Sequence, residues 1–367
     1  MKRPDRMPVV VLSGFLGAGK TTFLNTLMHA EALAGSMVIV NEFGDVGLDG
    51  LFLEAQSAGH GEGLLIKELN SGCLCCTLQG PLVQTLEDLL RARDNGRIEP
   101  FRQLIIETTG LADPTPILGA FATHPYLSLR YLVGGIVTVV DAAQDPESLD
   151  GTPEATAQIA VADVLAISKR DLVDEVQYAK LAAAVHARNP AARQRLTSEL
   201  ANDTAWLSDL LAQAEGIQPR RHAAHQTAHH HDVTAHAPSG HSDDHHHNHD
   251  HGHGHHHHHH AFSTVVTSEA PLQSRTVQMF MELLGMNLPG QLLRVKGIAY
   301  FASESHPDDP AEPWAVHAAG PLQHPARPVS EAVAAKLPDT TSRIVVITRS
   351  DQTDKVQNLF AACLRGA

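Results

Sequence analysis

Residues 14–21 read Gly-Phe-Leu-Gly-Ala-Gly-Lys-Thr and follow directly on the apolar run at residues 9–12. No other stretch constrains the fold as much. The G-x-x-x-x-G-K-[ST] spacing supplies glycines that turn backbone N–H groups inward around phosphate oxygens. It also supplies a lysine for the β- and γ-phosphates and a hydroxyl for Mg²⁺. The pattern works when a buried strand feeds the loop and a helix leaves it, because the helix aims its positive dipole end at the anion. Residues 9–12 read as that strand and 21–30 as that helix. The expected phosphate contacts are Gly14, Gly17, Ala18, Gly19, Lys20, Thr21 and Thr22, with Lys20 on the phosphates and Thr21 on Mg²⁺.

Further short apolar runs recur at residues 37–40, 64–69, 104–106, 136–140 and 164–167, separated by helix-like stretches such as 78–92 and 173–188. Strands alternating with helices predict an α/β fold, a P-loop NTPase parallel sheet with helices on both faces. The last third differs. Residues 262–267, 292–301, 314–319 and 343–348 read as strands, and 273–284 and 354–364 as helices. The order β-α-β-β-β-α predicts a smaller α+β domain.

Histidine marks the boundary. Nineteen of the 26 histidines fall in residues 222–260, interleaved with Asp232, Asp243, Asp244 and Asp250. A stretch with so little apolar content cannot offset its own ordering entropy, so a disordered linker is expected. Three regions follow: a nucleotide domain at 1–221, a His-rich metal-binding linker at 222–260 and a C-terminal domain at 261–367. Neutral imidazole binds Zn²⁺, Co²⁺, Ni²⁺ and Cu²⁺, so the linker offers many weak, exchanging sites. The net charge of −14 argues against a nucleic-acid partner. The lack of any apolar run of 18 residues argues against a membrane span. The first apolar run flows straight into the glycine loop and not into a cleavage site, which points to a cytoplasmic protein.

Two further elements follow apolar runs. Ser168-Lys169-Arg170-Asp171 resembles the N-K-x-D guanine-recognition element, with Ser168 where asparagine is usual. Asp171 is placed to accept from guanine's N1–H and exocyclic amine, and Lys169 to pack along the base. Glu107-Thr108-Thr109-Gly110 puts a carboxylate at a strand end, where Mg²⁺ is held beside a phosphate loop. Lys20, Thr21 and Glu107 are therefore the expected catalytic set.

Gly72-Cys73-Leu74-Cys75-Cys76 places three thiols within four residues. A curled loop can bring them onto one soft ion such as Zn²⁺ or Cu(I), leaving a fourth position open for exchange. A redox-active or merely buried trio is the competing reading. The fourth cysteine, Cys363, sits in an apolar helix and reads as packing. Of the seven scattered histidines, only His124, shortly after the Glu107 segment, is a candidate for the site; the others read as surface or packed residues.

The phosphate loop, Asn-Glu-Phe-Gly-Asp-Val-Gly-Leu-Asp at 41–49, Glu-Leu-Asn-Ser-Gly-Cys-Leu-Cys-Cys at 68–76, the Glu107 element and the Ser168 element together resemble the CobW-type metal-handling GTPases. The resemblance covers nearly the whole chain, including the His-rich tract and the small C-terminal domain. Asp45 and Ser168 are the modest departures. The resemblance implies GTP hydrolysis coupled to delivery of a metal to a client metalloprotein. Cys73, Cys75 and Cys76 would hold the metal, and Glu42 and Asp45 would lie in a nucleotide-responsive segment, with Glu42 a candidate metal ligand. The implied cofactors are GTP, Mg²⁺ and Zn²⁺, with Co²⁺ a second option; a homo-oligomer stays open. Two alternatives remain at this level: a cobalt-handling GTPase of the cobalamin-synthesis type, and a metal store with a regulatory nucleotide site. An ATP-dependent kinase is more remote, because Asp171 and the thiols do not serve it.

Overall fold

The computed structural model describes residues 6–28, 30, 33–40, 65–68, 79–149, 151–215, 261–303, 310–329, 334–335 and 337–366. The apolar runs form strands β1 (Met7–Gly14), β2 (Ser36–Val40), β3 (Leu65–Glu68), β4 (Gln103–Glu107), β5 (Tyr131–Asp141) and β6 (Val164–Ser168). With β7 (Arg193–Leu196) they make a seven-stranded sheet in the order β3-β2-β4-β1-β5-β6-β7. Every pairing is parallel.

Its faces are read directly from alternate residues. Val9, Val11, Met37, Ile39, Leu104 and Ile106 face one way. There they meet helices α2 (Gln79–Asp94), α3 (Thr115–Thr123) and α4 (Pro153–Val161), through Leu86, Leu90, Leu118, Phe121 and Ala160. Val10, Leu12, Val38, Val40 and Val137 face the other way, against α1 (Lys20–Leu27), α6 (Thr197–Asn202) and α7 (Ala205–Glu215). Strands β1, β2, β4 and β5 are thus apolar on both sides, the pattern a covered parallel sheet requires. Helix α5 (Glu175–Arg188) begins where Asp174 accepts from Gln177 N at 2.8 Å, a capping box that stops it from reaching back to residue 173.

The second sheet holds β8 (Phe262–Ser268), β9 (Leu292–Phe301), β10 (Glu312–Ala319), β11 (Leu322–Pro328) and β12 (Ser342–Thr348). It is antiparallel, in the order β11-β10-β9-β12-β8. Helices α8 (Ser274–Asn287) and α9 (Thr353–Arg365) pack on it, with Phe280 edge-on to Phe360 at 5.1 Å and Cys363 fully buried beneath. Burial pushes the Cys363 thiol up, as suits a packing residue. Strands β7 and β11 were not expected. Neither carries an apolar run.

Leu293, Ala319 and Ile347 of the second sheet join the apolar cluster of the first, against the side of the molecule that carries α3 and α4. Arg294 crosses the same seam, fully buried, donating to Val161 O and pairing with Asp163. Among the described residues no helix is long and apolar enough to cross a membrane.

Candidate functional site

The site lies where the parallel strands end. Register aligns Leu12 with Glu107, Glu107 with Val40, Val40 with Glu68 and Asp141 with Ser168. The loops leaving β1, β2, β3, β4, β5 and β6 therefore depart from one rim, where open α/β sheets place their ligands.

The glycine loop has the backbone its sequence calls for. Gly17 and Gly19 adopt left-handed φ values of 71° and 89°. A Cβ on Gly14 would stand 2.4 Å from Val139 O, so only glycine lets β1 leave the sheet this close to β5. Helix α1 starts at Lys20 with no side-chain cap and no acidic residue in its first turn, leaving N–H groups and the dipole for an anion. Lys20 is buried and its Nζ donates to Phe15 O at 3.1 Å, arching over the loop. Gly14, Gly17, Ala18, Gly19, Lys20, Thr21 and Thr22 are thus contiguous at the rim.

Glu107 is only 3% exposed at the end of β4 and accepts from Thr21 Oγ1 at 2.7 Å. A hydroxyl and a carboxylate oxygen in contact, beside a phosphate loop, form a hard donor set that fits Mg²⁺. The adjoining Thr108 N donates to Leu12 O at 2.9 Å, and Thr108 Oγ1 bonds Ser13 Oγ at 3.2 Å, which pins the start of this loop to β1.

Ser168 ties the loop after β6 to the glycine loop. Its Oγ donates to Ala18 O at 2.6 Å, with Val140 O at 3.3 Å. Serine, standing where asparagine is usual, thus bridges the two loops. Lys169 has φ 52°, the only positive φ outside glycine among the described residues, and its Nζ pairs with Asp141 Oδ2 at 2.6 Å. Left-handed backbone at a non-glycine residue costs energy and concentrates at functional sites. Asp171 stands exposed on the short turn Arg170–Leu172. The turn is braced by Arg170, which pairs with Glu175 and lies 4.6 Å over the Tyr178 ring.

Asp141 is the site residue that sequence reasoning missed. Its signal was available: like Glu107, it is a carboxylate at the end of an apolar run. Gln158 was missed as well. It is buried on α4 and donates to Gly110 O at 3.1 Å and Ala112 O at 2.9 Å. His124 is structural, its Nδ1 accepting from Leu127 N at 3.4 Å. Cys73, Cys75, Cys76, Glu42, Asp45 and the histidines of residues 222–260 lie outside the described residues. Among the described residues, no group of three or more His, Cys, Asp or Glu side chains is arranged to hold a metal ion.

Comparison with known proteins agrees with this architecture. Residues 8–195 match the CobW/HypB/UreG nucleotide-binding domain, and residues 262–364 the cobalamin synthesis protein cobW C-terminal domain. Zinc chaperone YjiA of Escherichia coli is 38% identical over 169 residues, covering 46% of this chain and 51% of that protein. Zinc chaperone CobW of Pseudomonas aeruginosa is 33% identical over 217 residues, covering 52% of this chain and 56% of that one. The chain thus matches about half the length of these curated relatives. The crystal structure of Zn(II)-bound YjiA GTPase from E. coli superposes with a TM-score of 0.61 at 24% identity, over 98% of this chain and 99% of that one, and shows the shared fold. With the glycine loop at the sheet rim and both family domains matched, this chain belongs to the CobW/HypB/UreG family, in the form that carries a CobW-type C-terminal domain.

Proposed function

We propose that this protein is a GTP-hydrolysing metallochaperone that binds Zn²⁺ through Cys73, Cys75 and Cys76 and couples nucleotide state to delivery of the metal to a client metalloprotein. The observation that carries the reading is register. Strand β3 ends at Glu68, aligned through Val40 with Glu107, and the thiols begin five residues later in the sequence. Five residues span at most about 18 Å. That reach supports the reading that metal and nucleotide are bound at a common rim and share loops. The zinc chaperones among the relatives supply the choice of metal.

In this reading, GTP sits with its phosphates in the loop of residues 14–21, contacted by the N–H groups of α1 and by Lys20. Asp171 selects guanine, and Lys169 exchanges Asp141 for the face of the base. Mg²⁺, held by Thr21 and Glu107, neutralises charge on the phosphate oxygens. Glu107 is kept in place by burial, and Ser168 holds the base element at a fixed distance from the phosphates. Glu42 and Asp45 belong to the segment that the γ-phosphate orders, as it does in switch loops generally. The His-rich tract collects ions and passes them to the tighter thiolates. The protein works in the reducing cytoplasm, where thiols stay available.

Two measurements on the untagged chain test this. Turnover should be saturable with GTP and resist competition by ATP. Zinc retained against a chelator should fall in Cys73→Ala, Cys75→Ala and Cys76→Ala while GTP turnover persists. Full zinc retention in all three variants would end the thiolate assignment, and no GTP turnover would end the GTPase assignment.

A further inference from the structure

The Glu107-x-x-Gly110 loop touches more than the nucleotide rim. Gly110 packs against the phosphate loop so closely that a Cβ would stand 2.7 Å from both Leu16 N and Leu16 Cα. Any rearrangement at the phosphates is therefore felt at Gly110. Gly110, Ala112 and Asp113 are held from two sides. Gln158 grips the Gly110 and Ala112 carbonyls from α4. Asp113 is held by the second domain: its Oδ2 pairs with Arg349 Nη2, while its Oδ1 accepts from Thr115 N at 2.9 Å at the start of α3.

Arg349 is itself fixed. Its backbone N donates to Gln291 O at 2.9 Å and its Nε to Gly290 O at 3.0 Å, so the guanidinium is presented and not trailing. It lies directly after β12, and its Nη2 also reaches Thr115 Oγ1 at 3.4 Å. The β10–β11 turn reinforces the contact. A Cβ on Gly320 would stand 2.7 Å from Thr115 Cγ2, and a Cβ on Gly119 would stand 3.5 Å from Pro321. The far end of α4 is likewise held by Arg294, through Val161 O and Asp163.

We propose that Arg349 is a positioning residue for the nucleotide-responsive loop: by holding Asp113 it sets the preference of the rim for triphosphate over diphosphate, which makes the second domain part of the switch. The inference rests on the GTPase reading above and adds the regulator of that site. As a stability element the pair is minor, since both side chains are about 30% exposed. As a latch it matters, because Asp113 is three residues from the Gly110 that abuts the phosphate loop. Linkage makes the effect reciprocal: if nucleotide state alters domain docking, docking alters nucleotide affinity by the same factor.

The test uses the full chain and four variants: Arg349→Glu, Asp113→Arg, the double charge swap, and Arg349→Lys. Affinities for GDP and for a non-hydrolysable GTP analogue are measured for each. The expected result is a change of about 3–10-fold in the ratio of the two affinities for each opposite-charge single variant. The charge swap should restore the ratio and Arg349→Lys should restore part of it. A ratio within twofold of the parent in both single variants, with both nucleotides still bound, overturns the inference and leaves the GTPase reading standing. A parent chain that binds neither nucleotide overturns both. Amide exchange over β12 in the parent makes the same test without mutation: protection that differs between the two nucleotides supports the latch, and identical protection overturns it.

Discussion

Two regions of this molecule pair a carboxylate with a cation beside a strand end, and they use the pair in opposite ways. At the rim, Asp141 holds Lys169 at 2.6 Å with the lysine side chain 37% exposed. At the seam between the domains, Asp163 holds Arg294 with side chains 5% and 0% exposed. Exposed pairs contribute about 0–1 kcal/mol and exchange partners readily. A sealed pair cannot exchange: losing one member strands a charge out of water at about 3–5 kcal/mol. The difference lies in burial, not in residue type. The rim pair is open enough to exchange partners, and the seam pair pins one domain to the other.

The electrostatics of the seam follow from that burial. Desolvation alone would raise the Asp163 pKa, but Arg294, His317 and Lys296, together with a bond from Ile136 N, hold it well below the usual carboxylate range. Burial pushes Lys296 down to about 8 against the pull of Asp163. His317 and His324 stack at 4.5 Å between ring centroids. Burial first, then Arg294 and Arg327, carry His324 down to about 4, with Asp163 opposing, and His317 is depressed for similar reasons. One anion thus faces several cations and two neutral imidazoles.

The sharpest way to break the contrast is to remove the sealed anion. Asp163→Ala should lose about 3–5 kcal/mol in urea unfolding; a loss below about 1 kcal/mol would mean that the seam tolerates exchange as the rim does. Next in size is the rim itself. Lys20→Ala should weaken GTP binding by about 10–100-fold, the worth of a charged hydrogen bond, with little change in the urea midpoint. Equal losses of affinity and stability would show that Lys20 is structural.

Acid tests the seam without mutation. The folded chain keeps His324 neutral down to about pH 4, whereas the unfolded chain takes up its proton near 6.5. The unfolded state therefore binds more protons between those values, and stability falls as pH drops through them, by about 1–2 kcal/mol on reaching pH 5. Asp163 stays ionised throughout that window. Urea midpoints at pH 7.5 and pH 5 should differ accordingly, and His324→Gln should reduce the difference; a midpoint independent of pH contradicts the depressed imidazoles. Smallest of all, Asp141→Asn should shift stability by less than about 1 kcal/mol while altering guanine-nucleotide affinity. A larger stability loss would place this pair with the seam.

The rim was legible because its chemistry is local. A strand, three glycines, a lysine and a threonine fall within 15 residues, and apolar runs mark β1, β2, β4, β5 and β6. The two strands that escaped notice are both sheet edges, β7 and β11. Arg-Gln-Arg-Leu and Leu-Gln-His-Pro-Ala-Arg-Pro carry the charges and prolines that edges tolerate, because one side has no ladder to complete. The seam was illegible for a different reason. Asp163 could be noticed as a lone acid inside an apolar run, but its partner Arg294 lies 131 residues away. Nothing in local pattern joins Asp113 to Arg349 either. The thiolate and histidine expectations rest on sequence alone, since those residues lie outside the described ones.

The central claim is that metal and nucleotide share a rim and feel each other. Its most direct test is the affinity of the full chain for Zn²⁺, measured by competition with a chelator, once with a non-hydrolysable GTP analogue and Mg²⁺ and once with GDP and Mg²⁺. Coupling through shared loops predicts constants that differ by about fivefold or more, with the same factor recovered when nucleotide is titrated with and without zinc. Equal zinc affinities in the two nucleotide states would contradict it.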